Sequence, residues 1–291
     1  MQIIDGTQIA SQIYNELRTK LNGSTRKLAI LMATDNPAAQ TYVSLKQKQA
    51  QALGLTVDII QFPVQAKPTD IFDRINLLAE DASVNGIMIQ LPLYPILQPD
   101  SAIIANLIPS EKDVDGLTAY SQGTILQNLR PFYYPATVAA ILEALRHCLA
   151  PTESYLNTAF QAMEPKLRGR QVVIINHSNL VGKPLAAALI NLNATVTVAH
   201  EFTANLSVLT QAADIVISAT GKPGILNADM FKPGAIVIDV TSVKTDLGIR
   251  GDVTVTPALE SKISWMTPVP GGIGPLTVAC LLRNLVLGPT V

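Results

Sequence analysis

The sequence predicts an α/β protein made of two successive helix–strand series. Three observations carry that expectation. Short, continuously apolar runs alternate with segments of helical spacing, and strands apolar on every residue belong to parallel sheets covered on both faces. The alternation breaks once, over Pro92 to Tyr134, and then starts again. The length, 291 residues, suits two domains or one large α/β domain.

Taken in order, Ile9, Ile13, Leu17 and Leu21 form a helical stripe after the turn Asp5-Gly6-Thr7. Lys27 to Met32 reads as a strand. Pro37 opens a helix expected to run to Leu53 and stop at Gly54. Thr56 to Gln61 reads as a strand, Thr69 to Ala82 as a helix and Gly86 to Leu91 as a buried strand. Pro92 to Tyr134 is rich in Pro, Asp, Gly and Ser, with one short helix at Ser101 to Leu107, and such a stretch in a compact domain is usually a functional loop. A helix from Thr137 to Cys148 follows. Val172 to Ile175, Thr195 to Ala199, Asp214 to Ser218 and Ala235 to Val240 are the strands of the second series, with a helix at Gly182 to Asn191. This pattern is that of a Rossmann-type dinucleotide-binding domain. A last helix, Pro275 to Leu287, follows a glycine-rich turn.

Composition narrows the function. Apolar residues make up 48% and the formal net charge is −1, so intrinsic disorder is excluded and nothing draws the chain to nucleic acid or an anionic membrane. The two cysteines, Cys148 and Cys280, form no CxxC, and the three histidines make no ligand cluster, so neither a disulfide framework nor a metal site is expected. No basic stretch precedes an apolar one at the N-terminus and no apolar run spans a bilayer. The expectation is a soluble cytoplasmic protein with a small-molecule partner.

Five motifs could carry chemistry. Tyr42 and Lys46 are four residues apart and share a helix face, although Lys46-Gln47-Lys48-Gln49 also reads as a solvated face. Gln90 ends an apolar strand, where ligands of open α/β sheets sit; it could equally bond loop backbone. In Glu111-Lys112-Asp113-Val114-Asp115-Gly116 the carboxylates could bind a ligand's amino groups, or Asp113 could cap a turn. Asn176-His177-Ser178-Asn179-Leu180-Val181-Gly182 stands where a phosphate-binding turn belongs, but of the G-x-G-x-x-G fingerprint only Gly182 remains. Asn176 tolerates a left-handed backbone better than other non-glycine residues, which would let the turn survive. Thr267-Pro268-Val269-Pro270-Gly271-Gly272-Ile273-Gly274 leaves exposed N–H groups before a helix.

In this order the motifs resemble the bifunctional methylenetetrahydrofolate dehydrogenase/methenyltetrahydrofolate cyclohydrolase family. The matching pieces include YVSLKQKQAQALG at 42–54, GIMIQLPL at 86–93, EKDVDGL at 111–117, SNLVGKP at 178–184, ADIVISATGKPG at 213–224, KPGAIVIDV at 232–240 and TPVPGGIGPLTV at 267–278. The resemblance implies two α/β domains around a cleft. Residues 1–135 with the C-terminal helix, 275–291, would form the folate-binding catalytic domain, and 136–274 the NAD(P)-binding Rossmann domain. It implies a homodimer, tetrahydrofolate one-carbon derivatives as substrates, and NADP. By the same resemblance Lys46 assists hydrolysis, Gln90 holds it and Tyr42 packs beside the reacting centre. Asp115, Pro268, Val269, Gly271 and Gly272 would bind folate. Thr137, Asn176, His177, Ser178, Val181, Gly182, His200, Glu201, Thr220, Gly221, Gly274 and Thr277 would bind the cofactor.

The chain departs from the family on the cofactor side. The turn commonly reads Gly-Arg-Ser or Gly-Ala-Ser, here Asn176-His177-Ser178. Pro135-Ala136-Thr137-Val138 replaces Pro-Cys-Thr-Pro, and the stretch from His147 to Arg170 is longer. Glu201 ends the second strand of the cofactor domain, and an acidic residue there favours the ribose 2′-hydroxyl of NAD over a 2′-phosphate, unless His177 and Lys183 compensate. NAD therefore stays open beside NADP. The alternatives are a paralogue that binds folate or a protein partner without catalysis, and a monofunctional NAD-dependent or amino-acid-type dehydrogenase.

Overall fold

The computed structural model describes residues 1–289; Thr290 and Val291, the end of the expected 275–291 segment, lie outside the described residues. The chain forms two compact units, one of residues 1–12 and 137–277, the other of 13–136 and 278–291. Strand β1 (Gln2–Ile3) and helix α1 (Gly6–Leu21) open the chain.

The unit of residues 13–136 and 278–291 has a three-stranded parallel sheet. Its strands are β2 (Lys27–Met32), β3 (Thr56–Gln61) and β4 (Gly86–Gln90), in the order β3-β2-β4. Helix α2 (Pro37–Ala52) starts sharply because the Asn36 side chain accepts from the N–H groups of Ala38 and Ala39 and Pro37 is the first helical residue. Helix α3 (Pro68–Glu80) carries Ile71, Ile75 and Leu78 onto Leu31, Ile87 and Ile89. The Lys112 ammonium donates to the carbonyls of Leu78, Ala79 and Asp81, closing the C-terminal end of α3 with positive charge.

Helices α4 (Ser101–Ala105) and α5 (Ala119–Leu126) break the long connection after β4. The second is absent from the sequence expectation. Ser121, Gly123 and Thr124 give it weak propensity, and Thr118 capping the N–H of Ser121 supplies the start.

Helix α6 (Ala136–Leu149) leads into the long 150–170 stretch. That stretch is anchored to the unit of residues 1–12 and 137–277. The Arg146 guanidinium pairs with Glu143, donates to the Asn157 carbonyl at 2.6 Å and lies over the rings of Tyr155 and Phe160. Helix α7 (Glu164–Leu167) ends it.

There follow β5 (Gln171–Ile175), α8 (Gly182–Ile190), β6 (Thr195–Ala199), α9 (Leu206–Ala212), β7 (Ile215–Ser218) and β8 (Ile236–Asp239). The hairpin β9 (Val243–Thr245)/β10 (Gly248–Arg250), α10 (Pro257–Lys262) and β11 (Trp265–Met266) complete this unit. The six-stranded sheet is parallel throughout, in the order β1-β11-β8-β7-β5-β6. Val173, Val216, Val237 and Met266 pack in its core with Phe231 and Leu259. Helix α11 (Ile273–Leu287) ends the chain. No helix among the described residues is long and apolar enough to cross a membrane.

Within α11, Asn284 is buried and its amide donates to the carbonyls of Val114 at 2.9 Å and Tyr134 at 3.2 Å. An unsatisfied buried polar group costs about 1–3 kcal/mol. Asn284→Leu is expected to lower the stability of the protein by about 2 kcal/mol, read as a drop in the urea midpoint with an unchanged slope.

Candidate functional site

In the unit of residues 13–136 and 278–291, the buried stripe of α2 is Ala39, Val43, Lys46 and Ala50. Its spacing is that of a core-facing helix side. Lys46 stands on it, 8% exposed, so the solvated-face reading is wrong for this lysine, while Lys48 points to solvent. The Lys46 ammonium donates to Gln90 Oε1 at 2.9 Å, and Gln90 Nε2 donates to the Leu91 carbonyl at 2.7 Å. The second bond orients the amide so that its oxygen faces the lysine. Gln90 thus does both things open to it, bonding loop backbone and holding Lys46. Tyr42 lies one turn before Lys46, half-buried. Burial pulls the Lys46 ammonium below the ordinary lysine value, and the charge of Asp115 partly opposes this.

The two aspartates of the 111–116 motif separate in role. Asp113 is buried and accepts from Leu117 N, Thr118 N and Ser121 Oγ, at 3.0, 2.9 and 2.7 Å. It is the turn cap. No protein donor bonds the half-buried carboxylate of Asp115 among the described residues, and its nearest charge partners are Lys46 and Asp113. Gly116 has φ +67°, and a Cβ there would stand 2.6 Å from Pro135 N, so the motif must turn at a glycine to leave Asp115 where it is. Burial, with a smaller contribution from Asp113, lifts the Asp115 carboxyl to about 6 against the pull of Lys46.

In the unit of residues 1–12 and 137–277, the chain leaves β5 into the turn 176–181 and α8. The left-handed reading of Asn176 is wrong: the positive-φ non-glycine residues described are Asn22, Asn128, Asn193 and Asn205. Asn176 works through its side chain. Oδ1 accepts from Ser178 N, Ser178 Oγ and Gly182 N at 2.9, 2.7 and 3.0 Å, and Nδ2 donates to the Ala219 carbonyl at 2.8 Å. Gly182 is required by contact, since a Cβ there would collide with the Asn176 carbonyl oxygen. Val181 N bonds Ser178 Oγ. Among the described residues the N–H groups of His177 and Leu180 bond no protein acceptor, so the turn offers donors to an anionic group beside the start of a helix. These features fit a dinucleotide phosphate.

At the end of β6, Glu201 Oε2 lies 3.9 Å from His177 Nδ1, and the His177 and His200 rings are 4.8 Å apart. The backbone N–H of Glu201, then His177, His200 and Lys222, hold this carboxyl below its usual range. It is ionised at neutral pH. Lys183 donates to Asn179 Oδ1 at 2.8 Å, so His177 rather than Lys183 faces Glu201.

Pro268, Val269, Gly271 and Gly272 follow β11 in this unit. The Gly271 carbonyl accepts from Thr7 N at 3.0 Å, and Gly272 lies so near Gly6 that a Cβ on Gly6 would collide with its carbonyl. Thr220 and Gly221 follow β7, and Thr137, Gly274 and Thr277 lie in the opening turns of α6 and α11. Sequence reasoning missed the buried Asp239 and Asp252 of this unit. A carboxylate ending the apolar strand β8 was the available signal, as Gln90 was for β4.

Residues 4–115 match the tetrahydrofolate dehydrogenase/cyclohydrolase catalytic domain, and residues 151–289 match the tetrahydrofolate dehydrogenase/cyclohydrolase NAD(P)-binding domain. The chain belongs to this family. The bifunctional protein FolD of Lactobacillus delbrueckii subsp. bulgaricus is 37% identical, over 98% of this chain and 96% of that protein. The crystal structure of the bifunctional FolD enzyme of Campylobacter jejuni has 36% identity and a TM-score of 0.87, covering 99% of this chain and 98% of that one. The FolD of Trypanosoma brucei, solved with NADP and an inhibitor, has 32% identity and a TM-score of 0.84, covering 97% of this chain and 95% of that one.

A pH test follows for Asp115. Its folded-state value of about 6 is above the ordinary 3.8. The stability this gives is complete below the ordinary value and is lost as pH rises through about 6. Asp115→Asn stays neutral throughout, so thermal melts should show the variant gaining on the wild type from pH 4 to pH 8. An equal difference at both ends would mean that Asp115 is solvated.

Proposed function

We propose that the protein oxidises 5,10-methylenetetrahydrofolate to the 5,10-methenyl cation with NADP, then hydrolyses the cation to 10-formyltetrahydrofolate. The observation that carries this reading is the buried Lys46 amine, fixed by Gln90 beyond an apolar strand, with Asp115 nearby and unbonded. Bound NADP supplies the hydride acceptor. Asn176, His177, Ser178, Val181 and Gly182 would hold its phosphates, with Thr137, Thr220, Gly221, Gly274 and Thr277 along the rest of it and His200 and Glu201 at the ribose. The substrate's own nitrogens push the hydride out, so that step needs alignment more than a base.

Hydrolysis needs a base. Water bonds to the methenyl carbon and loses a proton to the Lys46 amine. The bond from that carbon to N5 then breaks, and N5 takes a proton. A lysine accepts that proton only when its value is lowered, and burial lowers this one. A cationic substrate beside it would lower it further. Gln90 orients the amine without adding charge, and Tyr42 packs alongside. Asp115 would bind the amino-pyrimidine edge of the pterin, with Pro268, Val269, Gly271 and Gly272 giving backbone contacts to folate.

The same reading includes a cytoplasmic homodimer formed through the NAD(P)-binding unit. Strand β6 is an edge of the six-stranded sheet, with Val196 half-buried and Val198 38% exposed, and an apolar edge favours cover by a second copy.

Lys46→Met keeps the approximate length of the side chain and removes its proton acceptor. Methenyltetrahydrofolate hydrolysis should be abolished while measurable dehydrogenase activity remains, so that the methenyl intermediate accumulates in its absorbance band. Wild-type hydrolysis by this variant would sink the proposed role.

The ionised Glu201 beside the ribose site weakens selection for the 2′-phosphate. Steady-state assays with both cofactors should show a preference for NADP smaller than about a hundredfold, roughly 3 kcal/mol, and Glu201→Gln should widen it. A larger wild-type preference would mean that Glu201 points away from the cofactor.

A further inference from the structure

The sheet order puts a switch point between β5 and β7. The chain leaves β5 for β6 on one side and then crosses to β7 on the other, and ligands of open parallel sheets bind in the crevice beyond such a point. Two segments flank it, the turn 176–181 and the loop 219–222. They are joined by the bond from Asn176 Nδ2 to the Ala219 carbonyl.

The loop has little backbone support of its own. Thr220 N and Lys222 N donate to the Asp252 carboxylate, at 2.8 and 3.1 Å, and Ser218 Oγ donates to it at 2.6 Å. Gly221 N donates to Thr241 Oγ1 at 3.0 Å. Thr241 N in turn donates to Asp239 Oδ1 at 3.1 Å, and Val253 N to Asp239 Oδ2 at 2.9 Å. Asp239 N donates to Thr267 Oγ1 at 2.8 Å, which ties the network to the start of the Pro268–Gly272 segment. Side Cβ space is closed at Gly251, where a Cβ would strike the Asp239 carboxylate. Asp252 is 0% exposed and Asp239 1%. Two carboxylates this deep are costly unless donors meet them; Asp252 meets two N–H groups of the 219–222 loop and the Ser218 hydroxyl, and Asp239 meets the N–H groups of Thr241 and Val253.

We infer that Asp252 is a positioning residue for the nicotinamide cofactor: its buried carboxylate sets the Thr220–Lys222 loop at the switch point, and Asp239, through Thr241, sets Gly221 between them. The inference rests on the NADP reading of this unit. Asp252 acts through the loop and touches no substrate. Asp252→Asn would put an amide donor among three groups that are themselves donors, so at least one of them must turn away.

The test uses the full-length protein and two readouts. NADP binding is measured by calorimetry, and the dehydrogenase and methenyltetrahydrofolate hydrolase reactions are followed separately. Asp252→Asn should weaken NADP binding at least tenfold and lower the ratio of dehydrogenase to hydrolase activity at saturating folate and fixed NADP, with the cofactor KM changing more than kcat. If this variant does not fold, Ser218→Ala and Thr241→Val each remove one bond of the network and should each weaken NADP binding about threefold. NADP affinity within a factor of two of wild type in the folded variants would overturn the inference, as would a parallel loss of both activities with the KM unchanged. A wild-type protein that binds NADP and turns over neither folate substrate would remove the proposed function and leave this inference to be judged on the binding constants. A wild-type protein that binds neither NADP nor NAD would remove both.

Discussion

The bond between the Lys46 ammonium and Gln90 Oε1 is the interaction around which the candidate site of the unit of residues 13–136 and 278–291 is built. An ammonium on the core-facing stripe of a helix is expensive, because burial disfavours the charged form. One neutral amide at 2.9 Å does little to offset that cost. The result is a lysine held ready to lose its proton rather than one locked as a cation. A carboxylate in the place of Gln90 would form an ion pair and raise the lysine again. The one anion that acts on it, Asp115, is itself lifted to about 6 by burial. Each group therefore gives the other only partial support, and the proposed hydrolysis would use that balance.

The surrounding fold serves that placement. Strand β4 is continuously buried up to Gln90 and pairs in parallel with β2, which fixes where the amide emerges. Helix α2 follows β2 directly, and its start is set within a residue by Asn36 and Pro37. A helix shifted by one residue would turn Lys46 about 100° away from the stripe. The cap thus helps set where the Lys46 amine stands, although it lies far along the helix from it.

Much of this was legible in the sequence. The strands β2, β3 and β6 run as expected, and the other expected elements differ by a residue or two at their ends, because apolar runs bounded by Pro, Gly and Asn carry their own boundaries. The family resemblance named Lys46 and Gln90 together, and their bond is present. Helix α5 was missed because its stability comes from the Thr118 cap and from tertiary contact of Ser121 with Asp113, not from local propensity. The hairpin β9/β10 was missed because its strands are three residues each, too short for a period to show. Asn176 was misread because its type suggested a backbone role. Its side chain instead takes over the hydrogen bonding of the turn, and only the close approach at Gly182 still demands glycine. No local pattern announces that Asp252 reaches back across 30 residues to the Lys222 N–H.

One construction recurs at the ends of the buried strands. Gln90 ends β4, Ser218 ends β7 and Asp239 ends β8, each after a run of buried apolar residues. A polar side chain there is forced to choose its partners from the loop it enters, since the sheet already uses the backbone groups. What it becomes is decided by those partners. Gln90 meets an amine and a carbonyl and becomes an orienting acceptor. Ser218 meets the Asp252 carboxylate and becomes a donor. Asp239 meets backbone N–H groups and becomes an anchor. The parallel sheet thus supplies rigid positions at its C-terminal edge, and the chemistry is set by which donors and acceptors the following loops bring to them.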